Sequence, residues 1–501
     1  MLLDHDACYR VIQAKDERFD GRLFVGVKTT GVYCRPVCPA RTPNRSNVEF
    51  FPSAAAAQDA GFRPCLRCRP EVAPDLAAWN GTSSTVTRAL RLIEGGAFEH
   101  GSIDDLAERL GIGARQLSRL FARHVGASPG AVGRARRIHL AKQLIHDTSL
   151  PLSEVAHAAG FGSVRRFNET FKDLFGRVPS DWRRTRRNGP QSDLTQGLTI
   201  RLPYSPPYGW DDMRAFLAHR AVSGIEQVAG DTYARSVSIE GEQGVIAVGP
   251  GRRHELLLRI HWARTASLAA IVARVRGMFD CSADPGVIDR HLAADPWLAP
   301  LVAARPGLRV AGAWTGFELA VRAVVGQQVT VQGGRRLSER LVAALGTPLD
   351  AKLGSLYPGV THLFPTPATI SISPLDGLGM TGARAKTLHS LAQALLADSS
   401  VLAQRRDLED SIRTLTAIPG VGDWTAHYIA MRELREPDAF PAGDAALLRA
   451  AGAIAGRRVS VAELRERAER WRPWRAYGAA HLWASLGDTQ QTSAREYTNV
   501  A

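Results

Sequence analysis

Apolar positions along the chain keep two different periods. Two-residue alternation, the mark of half-buried strands, runs through TYARSVSIEG (232–241) and ELLLRIHWA (255–263). After the Pro306-Gly307 turn the pattern changes to long stretches at helical spacing. Helical spacing also fills 85–187. There SIDDLAERLGIGARQLSRLFARHVG (102–126) predicts a helix, a turn at Gly111 to Gly113 and a second helix, and LSEVAHAAGFGSVRRFNETFKDLFG (152–176) repeats the plan. APDLAAWNGTSS (73–84) and NGPQSDLTQG (188–197) read as linkers. The expected architecture is multidomain α+β: a small Cys-rich module at 1–74, an all-helical module at 85–187, a mixed α+β module at 198–308 and an all-helical module at 309–490. A length of 501 residues agrees with several cores rather than one.

Charge narrows the choice of partner. The formal net charge is +14, and 85–187 holds 18 Lys and Arg against 10 Asp and Glu, a surplus of eight in a fifth of the chain. Such an excess favours an acidic polymer, since neutralising phosphates releases their counterions. No apolar run is long enough to span a bilayer, and MLLDHDACYR lacks the basic and apolar regions of a signal peptide. A cytoplasmic protein at the nucleoid, with no membrane partner, is expected.

Four of the six cysteines crowd between Cys34 and Cys68. Cys34 and Cys38, then Cys65 and Cys68, form two short chelating loops separated by 26 residues, a spacing that suits four thiolates on one Zn2+. Spacing alone leaves a closed structural site as the ordinary reading. Cys8 and Cys281 stand apart and receive no role beyond that of small buried hydrophobes. The surrounding sequence, GVKTTGVYCRPVCPARTPNRSNVEFF followed by AGFRPCLRCRPE, resembles the Ada-type methylphosphotriester repair domain. That resemblance implies that Cys34 accepts a methyl group from DNA while all four cysteines hold zinc. Arg35, Arg41, Arg45, Arg67 and Arg69 lie near enough in sequence to meet phosphates.

In the helical module, Arg115, Gln116, Ser118, Arg119 and Arg123 fall on the outer face of one second helix, and Ser163, Arg165, Arg166, Asn168 and Lys172 on the other. AHAAGFGSVRRFNETFKDLFGRVPSDWRR resembles the AraC family of transcription factors, which implies two helix-turn-helix units reading the major groove. Arg183, Arg184, Arg186 and Arg187 are expected to grip phosphate or to form a solvated tail.

LTAIPGVGDWTAHYIA (415–430) has two apolar helices flanking a Pro-Gly-Val-Gly turn. Gly420 and Gly422 would let a phosphate approach the backbone amides, although a plain glycine-capped turn is the simpler reading. Asp444 stands 22 residues after Gly422, where a lone Asp is ordinarily an N-cap. From Leu198 to about Leu486, however, the chain resembles AlkA-type DNA-3-methyladenine glycosylases of the helix-hairpin-helix superfamily, through YSPPYGWDDMRAFLAHRAVSGIEQV, FELAVRAVVGQQVTV and RWRPWRAYGAAHLW. The resemblance implies that Asp444 is the carboxylate that stabilises positive charge on the sugar. It also implies that Trp424, Tyr428 and Trp483 line the base pocket and that Gln328 takes the wedge position, where the family pattern has Leu. Trp314, Trp471 and Trp474 are read as core.

Trp424 stands where strand-cleaving relatives carry a Schiff-base lysine, and no cysteine follows Cys281 to hold an iron-sulfur cluster. No Pro-Cys-His-Arg methyl-acceptor motif occurs. The expectation is a monofunctional glycosylase fused to a methylation-activated regulator, with alkylated and promoter duplex DNA as partners and RNA polymerase as a further one. The alternative is a regulator whose C-terminal half is a catalytically weak DNA clamp.

Overall fold

A computed structural model describes residues 4–65, 67, 68, 70, 84–96, 101–184 and 197–498. Both expected linkers, apart from Ser84 and Gly197, lie outside these residues, as do Arg69, Arg186 and Arg187. The chain forms two compact units: 1–205 with 238–276 and 281–283, and 206–237 with 277–280 and 284–501. The segment expected to form one α+β module at 198–308 is shared between them. No helix among the described residues is long and apolar enough to cross a membrane.

In the first unit a four-stranded sheet has the order Val48–Phe51, Phe24–Val27, Val32–Cys34, Arg63–Pro64. Its last pair is parallel, with Tyr33 opposite Pro64. Side-chain alternation divides the core: Val25 and Val48 pack with Val11 and Ile12 of helix His5–Ala14, whereas Phe24 and Tyr33 pack with Ala57 and Phe62. Tyr33 is therefore turned away from its neighbour Cys34.

The helices follow the expected plan. Ile103–Arg109 begins at a capping box between Ser102 and Asp105, and Ala114–His124 follows it. Pro129–Asp147 then leads to Leu152–Ala158 and Val164–Phe175. Phe167, Phe171 and Phe175, each one turn from the next, are buried, and Trp182 packs on the last two. Ser163 caps the final reading helix by accepting from the Arg166 amide, and Gly176 ends it at φ 68°.

Sheet and helices join through polar contacts. Ser53 Oγ donates to the buried Val125 carbonyl at 2.8 Å. Gln58 Nε2 lies 2.8 Å from Tyr33 Oη and 2.7 Å from His139 Nε2, and the latter two atoms are 3.2 Å apart. Three further strands belong to this unit, with Leu198–Pro203 and Glu242–Pro250 flanking Glu255–Trp262 antiparallel on either side. Glu255–Trp262 is the second expected strand.

The second unit contains a hairpin in which Glu226 to Ala229 oppose Arg235 to Thr232. Its remaining structure is mainly helical, around a core of Val321, Val324, Leu341, Leu388, Leu391, Leu415, Ile429 and their neighbours. The segment expected to be all-helical also carries a two-residue ladder between Thr347–Pro348 and His362–Leu363. Trp314, Trp471 and Trp474 are buried in this unit.

Candidate functional sites

Strand Val32–Cys34 delivers Cys34, and a turn closed by the Cys38 amide on the Arg35 carbonyl (3.2 Å) returns Cys38 to it. The parallel strand Arg63–Pro64 brings Cys65, whose amide donates to the Tyr33 carbonyl at 2.9 Å. All four Sγ atoms, including that of Cys68, lie within 4.8 Å of one another. Tetrahedral Zn2+ with bonds of about 2.3 Å needs sulfurs about 3.8 Å apart, so the donor set fits zinc. Cys38, Cys65 and Cys68 are 7–8% exposed, whereas Cys34 is only partly buried.

The nearby arginines separate into two kinds. Arg35 is tied by its guanidinium to Asp20 and to the Cys68 carbonyl (3.3 Å), bracing the thiolate loops rather than facing solvent. Arg45 pairs with Asp6. Arg41 and Arg67 are exposed.

On the two reading helices Arg115, Gln116, Arg119 and Arg123, and likewise Arg165, Arg166, Asn168 and Lys172, are exposed. Ser118 is partly buried, and exposed Ser163 is the cap preceding its helix rather than a member of it. Arg165 forms an exposed pair with Glu169 at 2.8 Å, and Arg184 one with Asp181 at 3.1 Å.

The third site lies in the second unit. Helices Leu408–Thr416 and Asp423–Arg432 flank the expected hairpin. Gly420 has φ 87°, and a Cβ there would overlap Thr387 Oγ1. Gly422 caps the second helix without a side-chain bond, leaving the first-turn amides to other acceptors.

Asp444 is indeed an N-cap, with Oδ1 accepting from the Ala446 and Leu447 amides, each at 2.9 Å. It is also more than a cap. Trp483 Nε1 donates to Oδ1 at 3.0 Å and Trp424 Nε1 to Oδ2 at 2.9 Å. Tyr428 stacks on Trp424, with centroids 5.3 Å apart and planes 11° apart, and meets Trp483 edge-on at 6.3 Å. The structure therefore brings Asp444, Trp424, Tyr428 and Trp483 together.

Burial would push the Tyr428 phenol up, but the charges of Arg432 and Arg220, with the Arg432 hydrogen bond at 2.6 Å, hold it below its usual 10. Behind it Arg322 bridges Glu226 (2.9 Å), Glu318 (3.1 Å) and the Arg220 carbonyl (2.5 Å), while Arg235 meets Glu318 at 2.6 Å. The two buried carboxylates are thus paired, as burial requires.

Gln328 stands exposed between helices Gly316–Val325 and Val331–Leu345, at φ 54°, a left-handed value uncommon outside glycine. Val329 and Val331 beside it are also exposed. Sequence reasoning missed Gln327, whose Nε2 donates to Thr425 Oγ1 (3.0 Å) and the Gly420 carbonyl (3.3 Å), and whose own carbonyl accepts from Arg384. The loop that carries Gln328 is therefore bound to the hairpin. No local pattern marks that contact, which spans more than ninety residues. Arg432 was also missed, although its four-residue spacing from Tyr428 was a usable signal.

Comparison with known proteins identifies the domains. The metal binding domain of Ada matches residues 7–71, a helix-turn-helix domain matches 106–185, and the AlkA N-terminal domain matches 199–315. A Mycobacterium tuberculosis protein named "Probable bifunctional transcriptional activator/DNA repair enzyme AlkA" is 41% identical over 489 residues, 96% of this chain and 97% of the relative. DNA-3-methyladenine glycosylase 2 of Escherichia coli is 34% identical over 290 residues, covering 57% of this chain and 97% of its own. In fold, a 3-methyladenine DNA-glycosylase from Archaeoglobus fulgidus superposes with a TM-score of 0.50 at 18% identity, over 56% of this chain and 96% of that one. The chain belongs to the family of bifunctional transcriptional activator/DNA repair proteins that join an Ada-type zinc-binding and helix-turn-helix regulator to an AlkA-type glycosylase.

Proposed function

We propose that the second unit hydrolyses the N-glycosidic bond of alkylated bases flipped out of duplex DNA, with Asp444 as the carboxylate facing the sugar. The observation that carries this is the Asp444 hydrogen-bond set: two indole and two backbone N–H groups fix the carboxylate beside three aromatic rings. A carboxylate so held stays oriented as the bond breaks. The electron pair of the C–N bond then leaves with the base, cancelling the charge of an alkylated purine, while water supplies the oxygen that joins the sugar and its spare proton passes to bulk water. Asp444 stabilises the cationic sugar between these events. Trp424, Tyr428 and Trp483 supply faces for a cationic ring, Gln328 fills the gap in the duplex, and the Gly420–Gly422 turn holds a phosphate. Because an alkylated purine leaves readily, no strong general acid is needed.

In the first unit Cys34 is the methyl acceptor: its sulfur forms a bond to the methyl carbon as the phosphotriester O–C bond breaks, and the phosphodiester leaves as an anion. Cys34, Cys38, Cys65 and Cys68 would hold zinc, which would keep the thiol deprotonated. Arg41 and Arg67 hold phosphates near it, while Arg115, Arg119, Arg165, Arg166 and Asn168 meet DNA from the reading helices. The four sequence segments act as a methyl-accepting module, a promoter reader, an AlkA-like α+β module and a glycosylase core, working at the nucleoid and contacting RNA polymerase.

The test is base release from alkylated duplex, scored as strand breaks after alkali. Asp444→Asn should lower release by about 10²-fold or more while leaving duplex affinity intact. Equal release from both proteins would remove Asp444 from the chemistry and leave the regulator reading, with Cys34 as its reactive centre.

A further inference from the structure

We propose that Arg432 is a positioning residue of the base pocket, holding the Tyr428 ring in place and locking the helix after the hairpin to the Ala311-Gly312 segment. This rests on the pocket reading above. Arg432 ends helix Asp423–Arg432, one turn beyond Tyr428, and is 9% exposed. Each of its three nitrogens donates: Nη1 to Tyr428 Oη at 2.6 Å, Nε to the Ala311 carbonyl at 2.8 Å and Nη2 to the Gly312 carbonyl at 3.0 Å. The guanidinium carbon also lies 5.0 Å from the Phe216 ring centroid. A lysine ammonium could not serve three acceptors in that planar geometry.

The far anchor is rigid. The Gly312 amide donates to the Met278 carbonyl at 2.8 Å, and a Cβ on Gly312 would sit 2.6 Å from the Gly277 carbonyl oxygen, a separation only glycine permits. From this anchor the contacts run without a gap through Arg432 to Tyr428, to the stacked Trp424 and to Asp444. A shift of Tyr428 is thus transmitted to the carboxylate.

Tyr428 meets charge from three helices: Arg432 on its own, Arg220 at the end of Trp210–Arg220 and Arg322 of Gly316–Val325. Its other neighbour, Asp444, binds the two indoles flanking it. Cations gathered at the phenol oxygen hold its pKa down, and the Arg432 guanidinium carbon lies 5.3 Å from the Tyr428 ring centroid, so Arg432 fixes the ring as well as its hydroxyl. Arg432 therefore sets the position of the ring a flipped base would meet.

The experiment compares wild type with Arg432→Met, Arg432→Lys, Tyr428→Phe and the Arg432→Met/Tyr428→Phe double variant. Single-turnover release is measured on duplexes carrying a cationic N7-methylpurine or a neutral hypoxanthine, and Tyr428 ionisation is followed by NMR of ring-labelled tyrosine. Arg432→Met should cut release of both bases at least tenfold, with only a small rescue by lysine. It should add less to Tyr428→Phe than it costs wild type and should move the phenol midpoint upward. Folded variants with unchanged release and an unchanged midpoint would overturn the proposal, as would fully additive effects in the double variant. If wild type releases neither base, the pocket reading fails, and the phenol midpoint in the two Arg432 variants still decides whether Arg432 governs Tyr428.

Discussion

Gly420 and His481 show what a single position can demand of the site. Gly420→Ala would force a side chain into left-handed backbone and against Thr387, so it should destabilise the fold by about 1–3 kcal/mol and weaken duplex binding. Thermal melting and a binding titration check this together. His481 is 1% exposed; burial, then the nearby Arg305 charge, push its imidazole down to about 4. In the unfolded chain it titrates near 6.5, so the unfolded state takes up the proton first as pH falls. Stability should therefore be fully present above about pH 6.5 and decline toward pH 4, by about 3 kcal/mol. A His481→Gln variant that keeps the same decline would show the loss to arise elsewhere. At this scale the sequence was most legible where spacing is local: Trp424 and Tyr428 lie one turn apart, and the thiolate pairs are short loops. It was least legible for Arg35, whose place beside the cysteines suggested phosphate but whose partner is Asp20, fifteen residues earlier.

Elements were read well where period and caps agreed. The alternation in 232–241 and 255–263 became strands, and the two helix-turn-helix repeats appeared with their outward residues exposed. Packing of Phe167, Phe171 and Phe175 fixes which face of the last reading helix points outward. An Arg119→Ala or Arg166→Ala change should therefore weaken DNA binding without unfolding the helix. For a phosphate contact, the slope of log affinity against log salt should fall by about 0.9 per residue. An unchanged slope with lost sequence preference would instead place that arginine on a base edge. The hairpin's tie to the Gln327-Gln328 loop was hidden, since Gln327 finds Thr425 only once both helices are packed. Gln327→Ala should accordingly lower release from duplex more than from single strands, where no wedge is required, as paired single-turnover assays would show.

Across the whole molecule, the positive surplus pointed to DNA and the motif order to a fusion, whereas the way strands distribute between compact units could not be read from local patterns. Residues 198–308 contribute to both units, since Leu198–Pro203 pairs with Glu255–Trp262, a partner more than fifty residues away. One further consequence belongs to the Tyr33, Gln58 and His139 contact. Tyr33 immediately precedes a thiolate ligand, while His139 lies on the long helix Pro129–Asp147 between the reading units. Free energy of metal binding is therefore expected to reach the helices through this contact. A ligand at a thousandfold excess over its dissociation constant stabilises by about 4 kcal/mol, so chelation should lower the melting temperature of the reading helices as well as of the thiolate sheet. Hydrogen exchange along Pro129–Asp147, with and without a chelator, measures this directly; identical protection would mean that the helix is stable on its own. If exchange quickens, scarcity of zinc in a cell would silence promoter reading before any lesion is met, and the regulator would report nutrition as well as damage.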